Sequence, residues 1–210
     1  METRTDEMRV FVSAGHSRHA DNEEGLIWEH TRCAEASDVL LKMLRDANIE
    51  AISPCPSVFG QRSSDALTEK IDLINASNCD LAVELRLASG GGNYGRTVFW
   101  SDGEQESEQG AWASELIASS MEELLPWRFD WVSMTDMGRG NMKFLDKSNC
   151  PSVVCEPAFK DHSLHLDWID SKQFVTDYAS SVYIGIRSFL MESKGHAQRP
   201  PSPPKLTVIE

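Results

Sequence analysis

Short β-branched runs alternate with amphipathic stretches along most of this chain, and that alternation constrains its fold more than any other feature. Residues 8–14 (MRVFVSA) read as a buried first strand ending at Gly15. A polar loop with Asp21, Glu23 and Glu24 follows. From Trp28 to about Ala47 the period becomes helical, with Ala36, Val39, Leu40, Met43 and Leu44 on one apolar stripe. Residues 48–52 read as a second strand, stopped by Pro54 and Pro56. Residues 63–76 form a second helix whose Leu67, Ile71 and Ile74 share the inward face. Residues 80–87 (DLAVELRL), 96–100 (RTVFW) and 152–155 (SVVC) are further strands, and residues 111–125 and 174–189 further helices. Crossovers of this kind place helices on both faces of a mostly parallel, twisted sheet, so the expected class is a single α/β domain.

A chain of 210 residues has room for one such domain, expected over residues 1–190. Residues 191–210 contain Arg199-Pro200-Pro201-Ser202-Pro203-Pro204 and read as an extended tail outside the core. With 20 Lys and Arg against 33 Asp and Glu, the net charge is −13, which disfavours a nucleic-acid partner because neutralising phosphates needs clustered cations. The same charge disfavours attachment to anionic wall polymers by charge alone. No apolar run reaches the length of a membrane span, and the charged start METRTDE has no secretory apolar region, so synthesis in the cytoplasm is expected. Five cysteines without a CxxC pair suggest reduced thiols. A monomer is expected.

Smaller features carry expectations of their own. Gly90–Gly92 matches no phosphate-binding pattern. Trp112 reads as core. Trp127 and Trp131 fall in an apparent loop and are candidates for exposed wall or partner contacts. His162 and His165 read as solvated loop residues, and Cys155 as a core thiol facing away from Glu156.

In open α/β sheets, ligands bind beyond the carboxyl ends of the strands. His16, Glu84, Arg86 and Glu156 fall at or near such ends, and Glu29 opens the helix after the first strand. A histidine converging with carboxylates suits a divalent metal, and a further carboxylate suits a general base on metal-bound water. The same residues also read as an ordinary loop histidine and a helix-start carboxylate interacting with the helix dipole.

Five short blocks, in order, resemble one family. Ala14-Gly15-His16 followed by Gly25 and Glu29 is similar to the opening motif of the zinc-dependent N-acetylmuramoyl-L-alanine amidases of the amidase-3 type. Arg62 and the run Asn78-Cys79-Asp80-Leu81-Ala82-Val83-Glu84-Leu85-Arg86 resemble the family's helix and its ADL-x-(V/I)-(S/E)-(I/L)-H-x-N strand. YGRTVFW at residues 94–100, RGNMKFL at 139–145 and PSVVCEPAF at 151–159 are similar to the three later blocks. The resemblance implies that His16 and Glu29 are Zn²⁺ ligands and that Glu156 is the catalytic acid/base. It implies peptidoglycan as the substrate, cut at the amide between the lactyl group of muramic acid and L-alanine. Arg86, Asn93 and Arg139 are the residues expected to contact it. Without a leader, such an enzyme would be a phage-type endolysin acting on the wall after release.

The chain departs from the family at its third ligand, where Arg86 replaces the histidine and Ala88 the following asparagine. An arginine side chain offers donors only and stays protonated, so it does not ligate zinc. Three arrangements remain open. Glu84 supplies the third ligand from the same strand face, displaced about 6–7 Å along the chain. His19 substitutes, or less readily His30, which diverges about 100° from Glu29 on a helix. In the third, the metal is lost and the Arg86 guanidinium pairs with Glu29 or Glu156, leaving a non-catalytic relative that binds wall fragments or a protein partner. A zinc hydrolase acting on another acylated amino acid is a further possibility.

Overall fold

In the computed structural model, which describes residues 8–15, 24–54, 63–138 and 142–195, the centre of the sheet is β1 (Arg9–Ala14), β3 (Leu81–Leu85) and β6 (Ser152–Glu156). β3 and β6 are buried at every residue, which is why their sequences are apolar runs with no exposed alternation. β2 (Glu50–Ile52) flanks β1, while β4 (Gly95–Phe99) and β5 (Phe129–Ser133) continue the sheet beyond β6. The strand order is β2-β1-β3-β6-β4-β5. Every pairing is parallel except β4 against β6.

The pleat divides the core in two. Val10, Val12, Ala14, Leu81, Val83, Leu85, Val153 and Cys155 pack beneath three helices, α1 (Glu24–Asp46), α3 (Glu108–Leu124) and α6 (Gln173–Gly195). Phe11, Ala82, Val98 and Val154 point the other way, onto Ile74 of α2 (Ser63–Ser77) and Phe144 and Leu145 of α4 (Lys143–Lys147). α5 (Ser163–Ile169) follows β6 and packs on α6. Burying one such side chain contributes about 1.5–3 kcal/mol, so both layers are needed to offset chain entropy.

Helix ends follow local chemistry. α1 stops where Asn48 takes φ 57° and the Ile49 N–H returns to Leu44 O at 3.0 Å, closing a Schellman turn before β2. α3 starts three residues before its expected position because the Ser107 hydroxyl accepts the Gly110 N–H at 3.0 Å. α1 likewise begins at Glu24, four residues before Trp28.

Three expectations are corrected. Residues 129–133 form an edge strand and not a loop, with Phe129 and Ser133 facing in, although Trp131 is exposed as expected. Trp127 is no surface contact: its Nε1–H donates to Pro157 O at 2.7 Å, and its ring lies 4.4 Å from His165 and 5.0 Å from Trp168, centroid to centroid. His165 is only 2% exposed, because α5 turns it inward. Trp112 and Cys155 lie in the core, and α6 runs on through Gly195. The rest of the expected tail, residues 196–210, lies outside the described residues. Among the described residues no helix is long and apolar enough to cross a membrane.

Candidate active site

Parallel strands β1, β3 and β6 end together, and antiparallel β4 begins beside the end of β6. One rim therefore gathers Gly15, residues 86–88, Arg96 and residues 156–160. Two links extend it past the strands: Ala88 N–H donates to Ala158 O at 2.8 Å, and Lys160 N–H to Ala88 O at 2.9 Å.

Glu84 sits one turn of the pleat below this rim, in register with Ser13 and Val154. Its side chain lies on the α2 face, fully buried, where Lys70 of α2 donates to Glu84 Oε2 at 3.3 Å and to Ala14 O at 2.5 Å. The Arg86 Nε–H donates to Glu84 Oε1 at 2.5 Å, as the two-residue strand spacing allows. Burial alone would raise the Glu84 carboxyl. The charges and hydrogen bonds of Arg86 and Lys70 outweigh it and hold the group below its ordinary value.

Arg86 is set from both sides. Its N–H reaches Cys155 O at 2.9 Å, and the buried Tyr178 hydroxyl of α6 donates to Cys155 O at 2.8 Å and meets the Arg86 N–H at 3.2 Å. Its aliphatic stem passes over Gly15, where a Cβ would stand 2.5 Å from Arg86 Cγ. Burial opposes its charge, but Glu84 first, then Glu156 and Glu29, more than compensate and raise its pKa.

Glu29 approaches from α1 and is buried at the same rim. Its Oε1 accepts the Leu87 N–H at 3.0 Å, and its Oε2 accepts Lys160 Nζ at 2.8 Å. Glu156 ends β6, and its cross-strand neighbour is Arg96. The Arg96 Nε–H donates to Glu156 Oε2 at 2.5 Å, its guanidinium lies 5.1 Å from the Phe159 ring centre, and its buried Nη2 has no hydrogen-bond partner among the described residues.

Of the residues expected at the site, Glu29, Glu84, Arg86 and Glu156 are all at or just below one rim. Asn93 is exposed on the loop before β4, beyond Gly90 and Gly91, whose N–H groups both donate to Asp161 Oδ2. His16, His19 and Arg139 lie outside the described residues. His30 turns toward the chain, its Nδ1 2.9 Å from Gly15 O. Lys70, Arg96, Lys160 and Tyr178 were not anticipated. For Arg96 a signal exists: only nine residues, 86–94, separate β3 from β4, too few for a parallel crossover between neighbours.

Among the described residues, a divalent metal is a poor fit to the donor set. Glu29 already holds an ammonium, Glu84 an ammonium and a guanidinium, and Glu156 a guanidinium. Arg86, at the third ligand position, presents donors only.

His165 supports the rim from below. Its Nδ1 accepts the Phe159 N–H at 2.9 Å, so the bond needs the neutral ring. Burial, then the charge of His162, lower its pKa beneath the ordinary 6.5. A depressed value means the unfolded chain takes up protons first, so the stability it contributes is full above pH 6.5 and is lost as pH falls through the folded value. Urea midpoints should fall over that window, and His165→Gln should flatten the slope. Identical slopes for the two proteins would rule this out.

A family model described as N-acetylmuramoyl-L-alanine amidase (Amidase_3) matches residues 10–188. No curated protein sequence matches the chain. Among solved structures, the N-acetylmuramoyl-L-alanine amidase from Clostridium difficile 630 superposes with a TM-score of 0.73 at 17% identity, covering 91% of this chain and 100% of that one. The CwlD amidase from Clostridioides difficile, solved in complex with the GerS lipoprotein, gives 0.70 at 14% identity, covering 89% and 100%. The catalytic domain of the CD27L endolysin targeting Clostridia difficile gives 0.63 at 16% identity, covering 87% and 98%. At these identities the structures are similar to this chain in fold.

Proposed function

Because the chain belongs to the N-acetylmuramoyl-L-alanine amidase family over residues 10–188, we propose that it acts on peptidoglycan as a hydrolase of the amide between the muramoyl lactyl group and L-alanine. The observation that supports this most directly is the meeting of Glu29, Arg86 and Glu156 at one rim of the family's fold, the place where open α/β sheets take their ligands.

Hydrolysis of an unactivated amide needs a proton taken from water and returned to the leaving nitrogen. Glu156 is the acid/base in this reading, its carboxylate oriented by the Arg96 Nε–H at 2.5 Å. The Arg96 Nη2 beside it, without a partner among the described residues, is a donor for a substrate oxygen. Arg86, Asn93 and Arg139 contact the stem peptide, with Asn93 on the exposed loop before β4. Release to the wall as a phage-type endolysin belongs to the same proposal. Zinc is the metal the resemblance implies, with His16 and Glu29 as its ligands. Holding it at Glu29 requires Lys160 to leave that carboxylate.

A second reading, binding without cleavage, is favoured by the cations already resting on all three acids. One assay separates the two. The protein is incubated with purified peptidoglycan, and both its retention on the polymer and new L-alanine amino termini are measured. New termini support the hydrolase, and retention without them supports the binding protein. No retention and no termini would defeat both.

A further inference from the structure

We infer that Lys160 and Arg86 serve as fixed cations in place of the family's divalent metal, so that this chain does not take up zinc at the rim. The inference rests on the family assignment and on the ligand positions it implies, but not on whether the chain cuts peptidoglycan.

The first ground is position. Lys160 Nζ stands 2.8 Å from Glu29 Oε2, on the carboxylate that the resemblance makes a zinc ligand. That lysine is placed by backbone as well as by charge, because its own N–H is tied to Ala88 O at 2.9 Å beside the end of β3. Arg86 stands at the third ligand position itself, bonded to Glu84 and within electrostatic reach of Glu156 and Glu29.

The second ground is charge. A zinc ion bound at this rim would bring two positive charges to buried acids that cannot stay ionised without a partner. Lys160 and Arg86 bring the same two charges covalently attached. Adding zinc on top would place a dication against an ammonium and a guanidinium, and the guanidinium cannot give up a proton to become a ligand. The Arg86 stem occupies the space beside Gly15, where a Cβ would collide with it.

The third ground is that the backbone of each cation is anchored at the rim. Arg86 is held through its backbone by Cys155 O and the Tyr178 hydroxyl, and Lys160 through its backbone by Ala88. Displacing either by metal would leave its positive charge close to a dication without the carboxylate that neutralises it.

The test uses the full chain purified from zinc-supplemented cells, with metal content by mass spectrometry and zinc titration by calorimetry. The wild type should carry far less than one zinc per chain and show no binding tighter than a Kd of about 1 mM. Arg86→His with Lys160→Met should bind one zinc per chain at least about 100-fold tighter, with each single variant in between. Circular dichroism checks that the variants are folded. Stoichiometric zinc in the wild type would overturn the inference, as would a folded double variant that binds no better. If the double variant fails to fold, the wild-type zinc content and the Lys160→Met variant decide in the same way. Peptidoglycan retention is scored separately, so a failure of the proposed function leaves this result readable.

Discussion

Glu84→Gln should cost about 3–5 kcal/mol of folding stability, the range found when one partner is removed from a buried ion pair. The change is nearly isosteric, so it opens no cavity and tests charge alone. Glu84 is fully buried and Lys70 is 3% exposed, and the two meet with Arg86 in a cluster of one acid and two cations. Removing the acid leaves an ammonium holding Ala14 O without a counter-charge among the described residues, and a guanidinium facing an amide. Lys70→Met alone should cost less, because Arg86 still neutralises Glu84 at 2.5 Å. The double variant should recover part of the Glu84→Gln loss, which a double-mutant cycle on denaturant midpoints would measure as coupling. A Glu84→Gln protein within about 1 kcal/mol of wild type would show that the cations do not depend on this acid. The same experiment bears on function, since the bond to Glu84 fixes where the Arg86 side chain lies.

The frame of the fold was legible in the sequence because the central strands are buried on both faces. MRVFVSA, DLAVELRL and SVVC have no other use in water, and all three became central strands. Strand alternation also placed Glu84 and Arg86 on one face, and the ion pair between them follows from that spacing. What stayed hidden depended on contacts distant in sequence. Lys70 on a helix reads as one more solvated charge until α2 crosses the end of β1 and buries it. Lys160 reads as a loop residue until the bridge to Ala88 carries it to Glu29. The Arg96–Glu156 pair requires β4 to run against β6, and a mostly parallel reading does not say which strand is the antiparallel one. FDWVS was obscured by its edge position, where Asp130 on one face and Trp131 on the other are both accessible and only Phe129 and Ser133 are buried. His165 was missed because seven residues of helix give too little period to show which side is inward.

Gly185→Val should rank with Glu84→Gln as a destabilising change, although it touches no charge. Gly185 lies where α6 crosses α3, the most extensive helix contact in the protein. A Cβ at this position would stand 2.5 Å from Ile117 Cα and 2.9 Å from Ile117 N, and backbone cannot rotate away as a side chain can. Overpacking of this kind costs about 1–3 kcal/mol for a small addition, and more when the helices must separate. Gly185→Ala sets two effects against each other: the clash, and a gain of about 1 kcal/mol in helix propensity. The clash should win, because the obstacle is main chain. Tyr178 precedes Gly185 by two helical turns and so shares its face, and it is Tyr178 that bonds Cys155 O and Arg86 at the rim. Moving α6 outward would withdraw that hydroxyl, so both variants should weaken retention on peptidoglycan as well as lower the melting temperature. Tyr178→Phe provides the comparison, since it removes the hydroxyl without moving the helix. A Gly185→Ala protein with a raised melting temperature would mean that propensity outweighs the crossing and that α6 is free to shift without disturbing the rim.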